Sequence, residues 1–235
     1  MLVVEPEWLK EHLRDPEVLV MDCTYSPGED YQELYCKVRI PGAVFFDVER
    51  GSEKTDLVRR CLLSPEKFAE YAQSCGLYGH SQVSVLNGGF QRWQALGCPT
   101  ETNPPTAPKR GDFVSRWTPG LLADWDRAMD GSLQILDSRS TTDFVANHIR
   151  GALHVPVSEL VAEGGLLCEP ELRARLAARG VRGGEGQAPY VCICNSAIKS
   201  SALMLVLHTL HIPAINFNGA MFQVQKCAPD KIVSQ

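Results

Sequence analysis

The chain has 235 residues, of which 44% are hydrophobic and 22% are charged, and its formal net charge is −5. These values are typical of a globular protein with a substantial apolar core, in one large domain or two small ones. Acidic and basic residues are mixed along the chain, which excludes the basic clusters of nucleic-acid-binding proteins. The longest apolar stretch is too short to cross a bilayer. We therefore expect neither a nucleic-acid nor a membrane partner.

The cysteines and the N-terminus indicate the cellular compartment. Nine cysteines, an odd number, are scattered along the chain, unlike the disulfide framework of a small secreted domain. The first residues lack the basic segment of a secretory signal and the arginine-rich character of a mitochondrial presequence. We expect a reducing compartment, the cytoplasm, with the mitochondrion as the alternative.

The predicted elements of the first half alternate between helix and strand. A helix at Pro6–Arg14 and a strand at Val18–Asp22 precede the motif Arg39–Phe46, a helix that opens at Pro65 and a strand at Val83–Leu86. Short apolar runs that alternate with helical patterns predict βαβ units on a parallel sheet covered by helices on both faces.

The second half repeats this order. A helix at Leu121–Met129, a strand at Leu133–Asp137, the motif His148–Val155, a helix with Pro170 in its first turn and a strand at Ala214–Phe217 follow one another. Such self-similarity at long period predicts two copies of one structural unit. The proline- and threonine-rich stretch 100–111 is the predicted linker between a domain at 1–99 and a domain at 112–235.

The two copies differ in one segment. The second contains an apolar strand at Tyr190–Ile193, a cysteine loop and a helix that ends near His211, whereas the first passes directly from His80 to Val83. About 30 residues, enough for one strand and one helix, are absent from the first copy. Because a central strand contributes much of the buried apolar area, we expect the first domain to be less stable than the second, with proteolytic nicking near Gly76–Ser81.

The cysteine loop runs from Cys194 to Ser201 between the predicted strand and the predicted helix. A cysteine at a helix N-terminus is close to unpaired amides and to the positive end of the helix dipole, which favour a thiolate. The basic residue Lys199 comes five positions after the cysteine. This spacing resembles the short, sulfur-sized loop of single-domain rhodaneses, and the resemblance implies less room than the longer loop of phosphatases, which fits a phosphoryl group. The pattern predicts a cysteine-dependent catalyst, or the remnant of one, that handles sulfur rather than phosphate.

Four motifs together resemble the tandem-rhodanese sulfurtransferases, which include thiosulfate and 3-mercaptopyruvate sulfurtransferases. They are Ile40–Asp47, Val85–Trp93, Asp137–Arg139 and the cysteine loop. The resemblance implies an α/β protein of two rhodanese-like domains, each a parallel sheet flanked by helices, the first lacking about one strand and one helix. It also implies a persulfide on Cys194, which takes a sulfane sulfur from a donor such as thiosulfate or 3-mercaptopyruvate and passes it to cyanide or a thiol.

The resemblance implies a site without metal or cofactor, and a thioredoxin-like reductant as a further partner. The amides that surround the sulfur belong to the cradle residues, which are Asn195, Ser196, Ala197, Ile198 and Lys199. From the first domain, Asp47 and Glu49 match a segment that faces the active site in the family.

The chain departs from the family pattern at several of these positions. Asn195 and Ala197 replace glycines, and alanine resists the positive φ that glycine adopts freely. Asp143 takes the place of an arginine that binds the mercaptopyruvate carboxylate, so we expect mercaptopyruvate to be a poor donor. The alternative function is therefore a catalytically weak or inactive rhodanese-like binding or regulatory module, or a shortened gene product. Cys192 is interpreted as a structural thiol, with the closing of a disulfide or a polysulfide under oxidation as the alternative.

Overall fold

The computed structural model of the chain describes residues 2–25, 28–58, 60–80, 82–116, 118, 120–184 and 186–234. The chain divides into two compact units: residues 1–53 with 62–117 form the first, and residues 54–61 with 118–235 form the second. The predicted domain limits at residues 99 and 112 stay a prediction. Within the described residues, no helix has both the length and the apolar character needed to span a membrane.

The described part of the first unit consists of short strands and short α-helices. Its strands are β1 (Val3–Val4), β2 (Met21–Asp22), β3 (Val44–Phe45), β4 (Ser52–Glu53), β5 (Cys61–Leu62, at the limit of the unit) and β6 (Val85–Leu86). Its helices are α1 (Pro6–His12), α2 (Tyr31–Lys37), α3 (Pro65–Ser74) and α4 (Gly89–Ala95). Prolines open α1 and α3 as predicted, because the first turn of a helix needs no amide hydrogen there.

The central strands of the first unit form two separate parallel pairs. Val3 and Val4 of β1 lie opposite Val85 and Leu86 of β6. In the other pair, β2 lies against β3, with Met21 opposite Val44. In the described part of the chain, no ladder joins one pair to the other.

The second unit contains longer elements. Its strands are β7 (Leu122–Ala123), β8 (Ile135–Asp137), β9 (His148–Ile149), β10 (Leu153–His154), β11 (Val161–Ala162), β12 (Gly165–Leu166), β13 (Tyr190–Ile193), β14 (Ala214–Phe217) and β15 (Ile232–Val233). Its helices are α5 (Trp125–Met129), α6 (Thr141–Ala146), α7 (Glu169–Ala178), α8 (Ile198–Thr209) and α9 (Ala220–Cys227), with 3-10 turns at Val157–Glu159 and Pro229–Lys231.

A five-stranded parallel sheet in the order β10-β8-β13-β14-β7 forms the centre of the second unit. The pairs of the first unit match its two sides: β1 and β6 correspond to β7 and β14, and β2 and β3 correspond to β8 and β10. Among the residues that the structure describes, the counterpart of β13, which would join the two pairs, is missing. This topology confirms the predicted fold class with its shortened first copy.

Helices cover both faces of the five-stranded sheet. Cys192 of β13 packs in one apolar cluster with Leu176 of α7 and Leu203 of α8. Val191, its neighbour on the same strand, packs in the other cluster with Met221 of α9 and Ala128 of α5. Successive residues of a strand point to opposite faces, so every residue of β13 is buried.

One predicted helix begins later than the sequence pattern indicates. The stretch Leu121–Met129 was predicted as helical throughout, but Leu122–Ala123 is strand β7 and the helix covers only Trp125–Met129. Asp124 sets the boundary because its carboxylate accepts the amide of Arg127 at 2.8 Å and caps the helix. A strand of two residues is too short to show a periodicity of its own.

Candidate active site

Cys194 follows directly on the central strand β13 and is only 2% exposed. Neighbouring elements fix the end of this strand. The Ser138 amide and hydroxyl both donate to the Ile193 carbonyl, at 3.0 and 2.9 Å, and the Met221 amide donates to the Cys194 carbonyl at 2.9 Å. The cysteine is therefore held at the carboxyl edge of the sheet, where open α/β sheets bind their ligands.

The loop after Cys194 supplies a run of free amides. None of the amides of residues 195–200 donates to any acceptor within the described residues. The loop leads into α8, a helix of 12 residues, whose N-terminus carries a partial positive charge. Unpaired amides at a helix N-terminus form a natural anion site, which is the environment that a thiolate or a persulfide anion requires.

Ala197 carries the strained turn of this loop, with φ +64°. The left-handed conformation costs a non-glycine residue about 1–2 kcal/mol. The Ala197 carbonyl is held by the hydroxyls of Ser200 and Ser201, at 3.0 and 2.8 Å, and by the Asn216 side-chain amide at 3.4 Å. Such over-determination by surrounding groups is what keeps a strained backbone in place, and it allows alanine to occupy this turn.

Ser200 is the residue whose side chain contacts the sulfur. Its hydroxyl oxygen lies 3.4 Å from Cys194 Sγ, and the serine is fully buried. No other side-chain hydrogen bond to Cys194 Sγ occurs in the described chain.

A buried arginine connects the loop to the neighbouring strand. Arg139 forms an ion pair with Asp137 at 2.7 Å, and both side chains are almost fully buried. The same guanidinium donates to the side chains of Asn147 at 3.2 Å and Asn195 at 3.5 Å. Through this ion pair the first cradle residue, Asn195, is tied to the sheet.

The remaining cradle side chains make no hydrogen bond to the sulfur among the described residues. Ser196 is half-buried, and Ile198 and Lys199 are exposed. Lys199 has no hydrogen bond or ion pair with the residues that the structure describes. The backbone amides of these residues are available to an anion, whereas a direct electrostatic role for the Lys199 ammonium stays a prediction.

Asp47 and Glu49 lie in the first unit, just after β3. The Asp47 carboxylate accepts the Glu49 amide at 2.8 Å and so forms a local turn. The Tyr71 hydroxyl accepts from the Asp47 amide at 2.9 Å. Asp47 thus has a structural function in its own unit, and the contribution of both carboxylates to the active site stays a prediction.

Cys192 was predicted to be a structural thiol, and it lies on strand β13, two positions before the cysteine of the loop. Burial, with a smaller contribution from the neighbouring Cys194, raises the pKa of the Cys192 thiol well above its ordinary value. A protonated thiol in an apolar cluster supports the structural interpretation of Cys192.

Asp143 lies in the first turn of α6, where Ser140 is the capping residue. The Ser140 hydroxyl oxygen accepts the Asp143 backbone amide at 3.2 Å, and the same hydroxyl donates to the Asp143 carboxylate at 2.8 Å.

Comparison with known proteins identifies the family. A family model described as a Rhodanese-like domain matches residues 123–227. The chain is 30% identical over 263 positions to 3-mercaptopyruvate sulfurtransferase of Escherichia coli K12, covering 92% of each chain. It is 26% identical to thiosulfate sulfurtransferase of Bos taurus, over 99% of this chain and 95% of that protein. The chain belongs to the tandem-rhodanese sulfurtransferase family.

Solved structures of this family show the same architecture. The crystal structure of SseA from Escherichia coli, a 3-mercaptopyruvate sulfotransferase, aligns with a TM-score of 0.83 at 28% identity, over 94% of this chain and 98% of that one. Tum1 from Saccharomyces cerevisiae, at 16% identity, aligns with a TM-score of 0.85 and supports the fold. The alignment to the bacterial relative has 263 positions but takes in about 216 residues of this rhodanese, so about 47 positions face gaps in it. Gaps of this size are consistent with missing segments.

Sequence reasoning missed three residues of the site in this sulfurtransferase. Ser200 and Ser201 stand in the recognised loop segment but were given no role, because the pattern shows their spacing and not their contacts. Asn216 lies in the otherwise apolar strand β14 and is 5% exposed. A polar residue in a buried strand requires a hydrogen-bond partner, and that mismatch is the signal that could have found it.

Proposed function

We propose that this family member transfers a sulfane sulfur through a persulfide on Cys194. The observation that carries the proposal is the position of this cysteine, at the end of the central strand and before a loop whose amides have no other acceptor in the described chain. Fixed amides stabilise an anionic sulfur in both its thiolate and its persulfide form, without a general base.

In the loading step, the Cys194 thiolate attacks the outer sulfur of the donor. A new sulfur–sulfur bond forms, and the bond that held the outer sulfur in the donor breaks, with its electron pair leaving on the remainder. For thiosulfate the leaving group is sulfite. The product is a persulfide anion whose charge resides on the outer sulfur, which the loop amides can bind.

In the discharge step, cyanide or a thiolate attacks the outer sulfur of the persulfide. The sulfur–sulfur bond to Cys194 breaks, its electron pair returns to Sγ, and the acceptor leaves as thiocyanate or as a new persulfide. A thioredoxin-like protein is a further proposed acceptor, because its low-pKa thiol is a good attacking group at neutral pH. We propose thiosulfate as the preferred donor, since Asp143 places a carboxylate where the family binds the carboxylate of mercaptopyruvate.

The first domain contributes Asp47 and Glu49 in this proposal, and the cytoplasm is the proposed compartment.

One observation favours the alternative of an inactive binding or regulatory module: the described strands of the first unit form two separate pairs rather than one sheet. A domain that lacks its central strand is a poor partner for catalysis even when the cysteine loop of the second unit is intact.

Mass spectrometry of the intact protein after treatment with thiosulfate distinguishes the two functions. We expect one added sulfur on the parent chain, its loss on addition of cyanide, and no addition to Cys194→Ser, because an alcohol cannot hold a transferable sulfane sulfur. A matched control is Cys192→Ala, which leaves the loop intact. A parent chain that takes up no sulfur, or a Cys194→Ser variant that turns over like the parent, would contradict the proposal and support the binding module.

A further inference from the structure

We propose that Ser200 is a catalytic residue of this site, whose hydroxyl transfers its hydrogen bond from the Ala197 carbonyl to the Cys194 sulfur whenever that sulfur is a thiolate. The inference rests on the proposed function of Cys194 but concerns a different residue. It starts from the one side-chain hydrogen bond to Sγ among the described residues, that of the Ser200 hydroxyl at 3.4 Å.

The Ser200 hydroxyl has two acceptors within reach and one hydrogen to donate. The Ala197 carbonyl lies at 3.0 Å and Cys194 Sγ at 3.4 Å. A neutral thiol is a weak acceptor, so the carbonyl takes the hydrogen bond while Cys194 is protonated. An anionic sulfur is a much stronger acceptor, because a hydrogen bond to a charged group is roughly twice as strong as one between neutral groups.

The loop can release this hydrogen bond without losing its shape. The Ala197 carbonyl keeps the Ser201 hydroxyl at 2.8 Å, the Ser201 amide at 3.1 Å and the Asn216 side-chain amide at 3.4 Å. Asn216 also donates to the Ser201 hydroxyl at 2.8 Å, which fixes the orientation of that serine. The strained turn at Ala197 is therefore held by Ser201 and Asn216, which leaves Ser200 available to the sulfur.

In this proposal the two sulfur atoms of the persulfide face different hydrogen-bond donors. Ser200 contacts Sγ, the atom that attacks in the loading step and that departs in the discharge step. The charge of the persulfide lies on the outer sulfur, which is one bond farther from Cys194 and is the atom offered to the loop amides. Ser200 thus stabilises the thiolate before loading and the developing thiolate during discharge.

Ser201 provides a matched control, since its hydroxyl bonds the same carbonyl but does not contact the sulfur. Ser200→Ala should lower the ratio of thiolate to thiol at neutral pH roughly ten- to hundredfold. The readout is the ultraviolet absorbance of the thiolate, taken as the difference between each variant and the same variant carrying Cys194→Ala. Ser201→Ala should change this difference much less than Ser200→Ala does, because the Ala197 carbonyl keeps the Ser201 amide and the Asn216 side-chain amide. Ser200→Thr, which keeps the hydroxyl, should restore the difference.

The two half-reactions should respond unequally. Loading by thiosulfate should slow roughly three- to tenfold in Ser200→Ala, which is less than the fall in the thiolate population, because a more basic thiolate is more nucleophilic. Discharge to cyanide slows more, because the leaving sulfur loses its donor. Equal effects of Ser200→Ala and Ser201→Ala on thiolate absorbance, or no effect of either, would overturn the proposal. If the parent forms no persulfide, the proposed function fails, while the absorbance measurement still decides the role of Ser200.

Discussion

Cys192 and Cys194 stand two positions apart, yet the structure gives them different surroundings. The Cys192 side chain is enclosed in the apolar cluster between the sheet, α7 and α8, and it is fully buried. Cys194 lies beyond the end of the strand, where a hydroxyl and a run of unpaired amides follow it. The alternation of side chains along a strand explains the first environment, and the strand-to-helix turn explains the second.

The raised pKa of Cys192 predicts a loss of stability at alkaline pH. The folded state keeps this thiol protonated, whereas the unfolded chain ionises it above its ordinary value of about 9. Its contribution is therefore complete below that pH and declines as the pH rises above it, by up to about 1.4 kcal/mol per pH unit. Urea denaturation of the parent and of Cys192→Ala between neutral and alkaline pH checks this. The variant should show a shallower decline with pH and retain most of the sulfurtransferase activity; parallel curves would contradict the prediction.

At the scale of a single element, α6 contains Asp143, which contacts the N-cap of the helix and which we expect to affect the choice of sulfur donor. The Ser140 hydroxyl oxygen caps α6 by accepting the Asp143 amide, and the same hydroxyl donates to the Asp143 carboxylate. The other end of α6 is followed by Asn147, whose side chain and carbonyl both accept from Arg139. Arg139 in turn contacts Asn195 of the cysteine loop. The charge at Asp143 therefore stands on an element that is tied to the site.

Removal of this charge should improve the use of mercaptopyruvate. Asp143→Asn keeps an oxygen for the Ser140 hydroxyl but eliminates the repulsion of an anionic donor, so kcat/KM for mercaptopyruvate should rise while that for thiosulfate changes less. Asp143→Arg adds an attractive charge, worth about 1.5–3 kcal/mol if it bonds the carboxylate. It also destabilises α6 by about 0.5–1 kcal/mol, because the Ser140 hydroxyl loses its carboxylate acceptor and a positive charge replaces a negative one in the first turn. Steady-state kinetics with both donors, together with thermal unfolding, separates the two effects. A parent chain that already prefers mercaptopyruvate would show that the carboxylate site lies elsewhere.

At the scale of the whole molecule, the two copies of the fold differ in how their sheets are completed. In the second unit, β13 pairs with both β8 and β14 and is buried along its whole length. In the first unit, the matching position between β2 and β6 has no strand among the described residues. Val85 of β6 is 48% exposed and Val83, just before it, is 73% exposed. Strand edges and apolar side chains that a central strand would cover therefore meet solvent.

This difference predicts unequal local stability. Native-state hydrogen exchange should show lower protection in β2, β3 and β6 than in β8, β13 and β14, because fewer ladder bonds and less apolar burial oppose local opening. Similar protection in the two sheets would mean that the missing strand matters little.

Limited proteolysis offers a second measurement on the first unit. The sequence predicts nicking near Gly76–Ser81, of which Ser81 lies outside the described residues. Gly111 donates its amide to Gln73 at 2.9 Å and Phe113 donates to Leu77 at 3.2 Å, so the earlier part of this stretch is held by the chain that follows. We therefore expect the first cut after Gly79, before the exposed Val83, and cuts in the second unit only later. An initial cut within the cysteine loop would contradict this order.

Much of the architecture could be predicted because it depends on local patterns. The apolar run of β13, the prolines that open α1 and α3, and the repeated motifs specify strands, helix starts and two copies without reference to distant residues. The absent strand was also visible, since two copies of one unit can be compared position by position. The same local information placed Cys194 between a buried strand and a helix. The strands β1 and β7 were missed, because two-residue strands are defined only by the partner that they pair with.

The contacts around the sulfur were decided by the tertiary structure. The sequence shows alanine at a loop position where glycine is expected, but only the fold brings Asn216 from another strand to the Ala197 carbonyl. The sequence likewise shows Asp143 in place of an arginine, but it does not show that the Asp143 carboxylate accepts the Ser140 hydroxyl at the start of α6. Hydrogen bonds between side chains depend on distances of a few tenths of an ångström between elements far apart in the chain. Periodicity and spacing determine which elements form, and the packing of these elements determines which serine reaches the Cys194 sulfur.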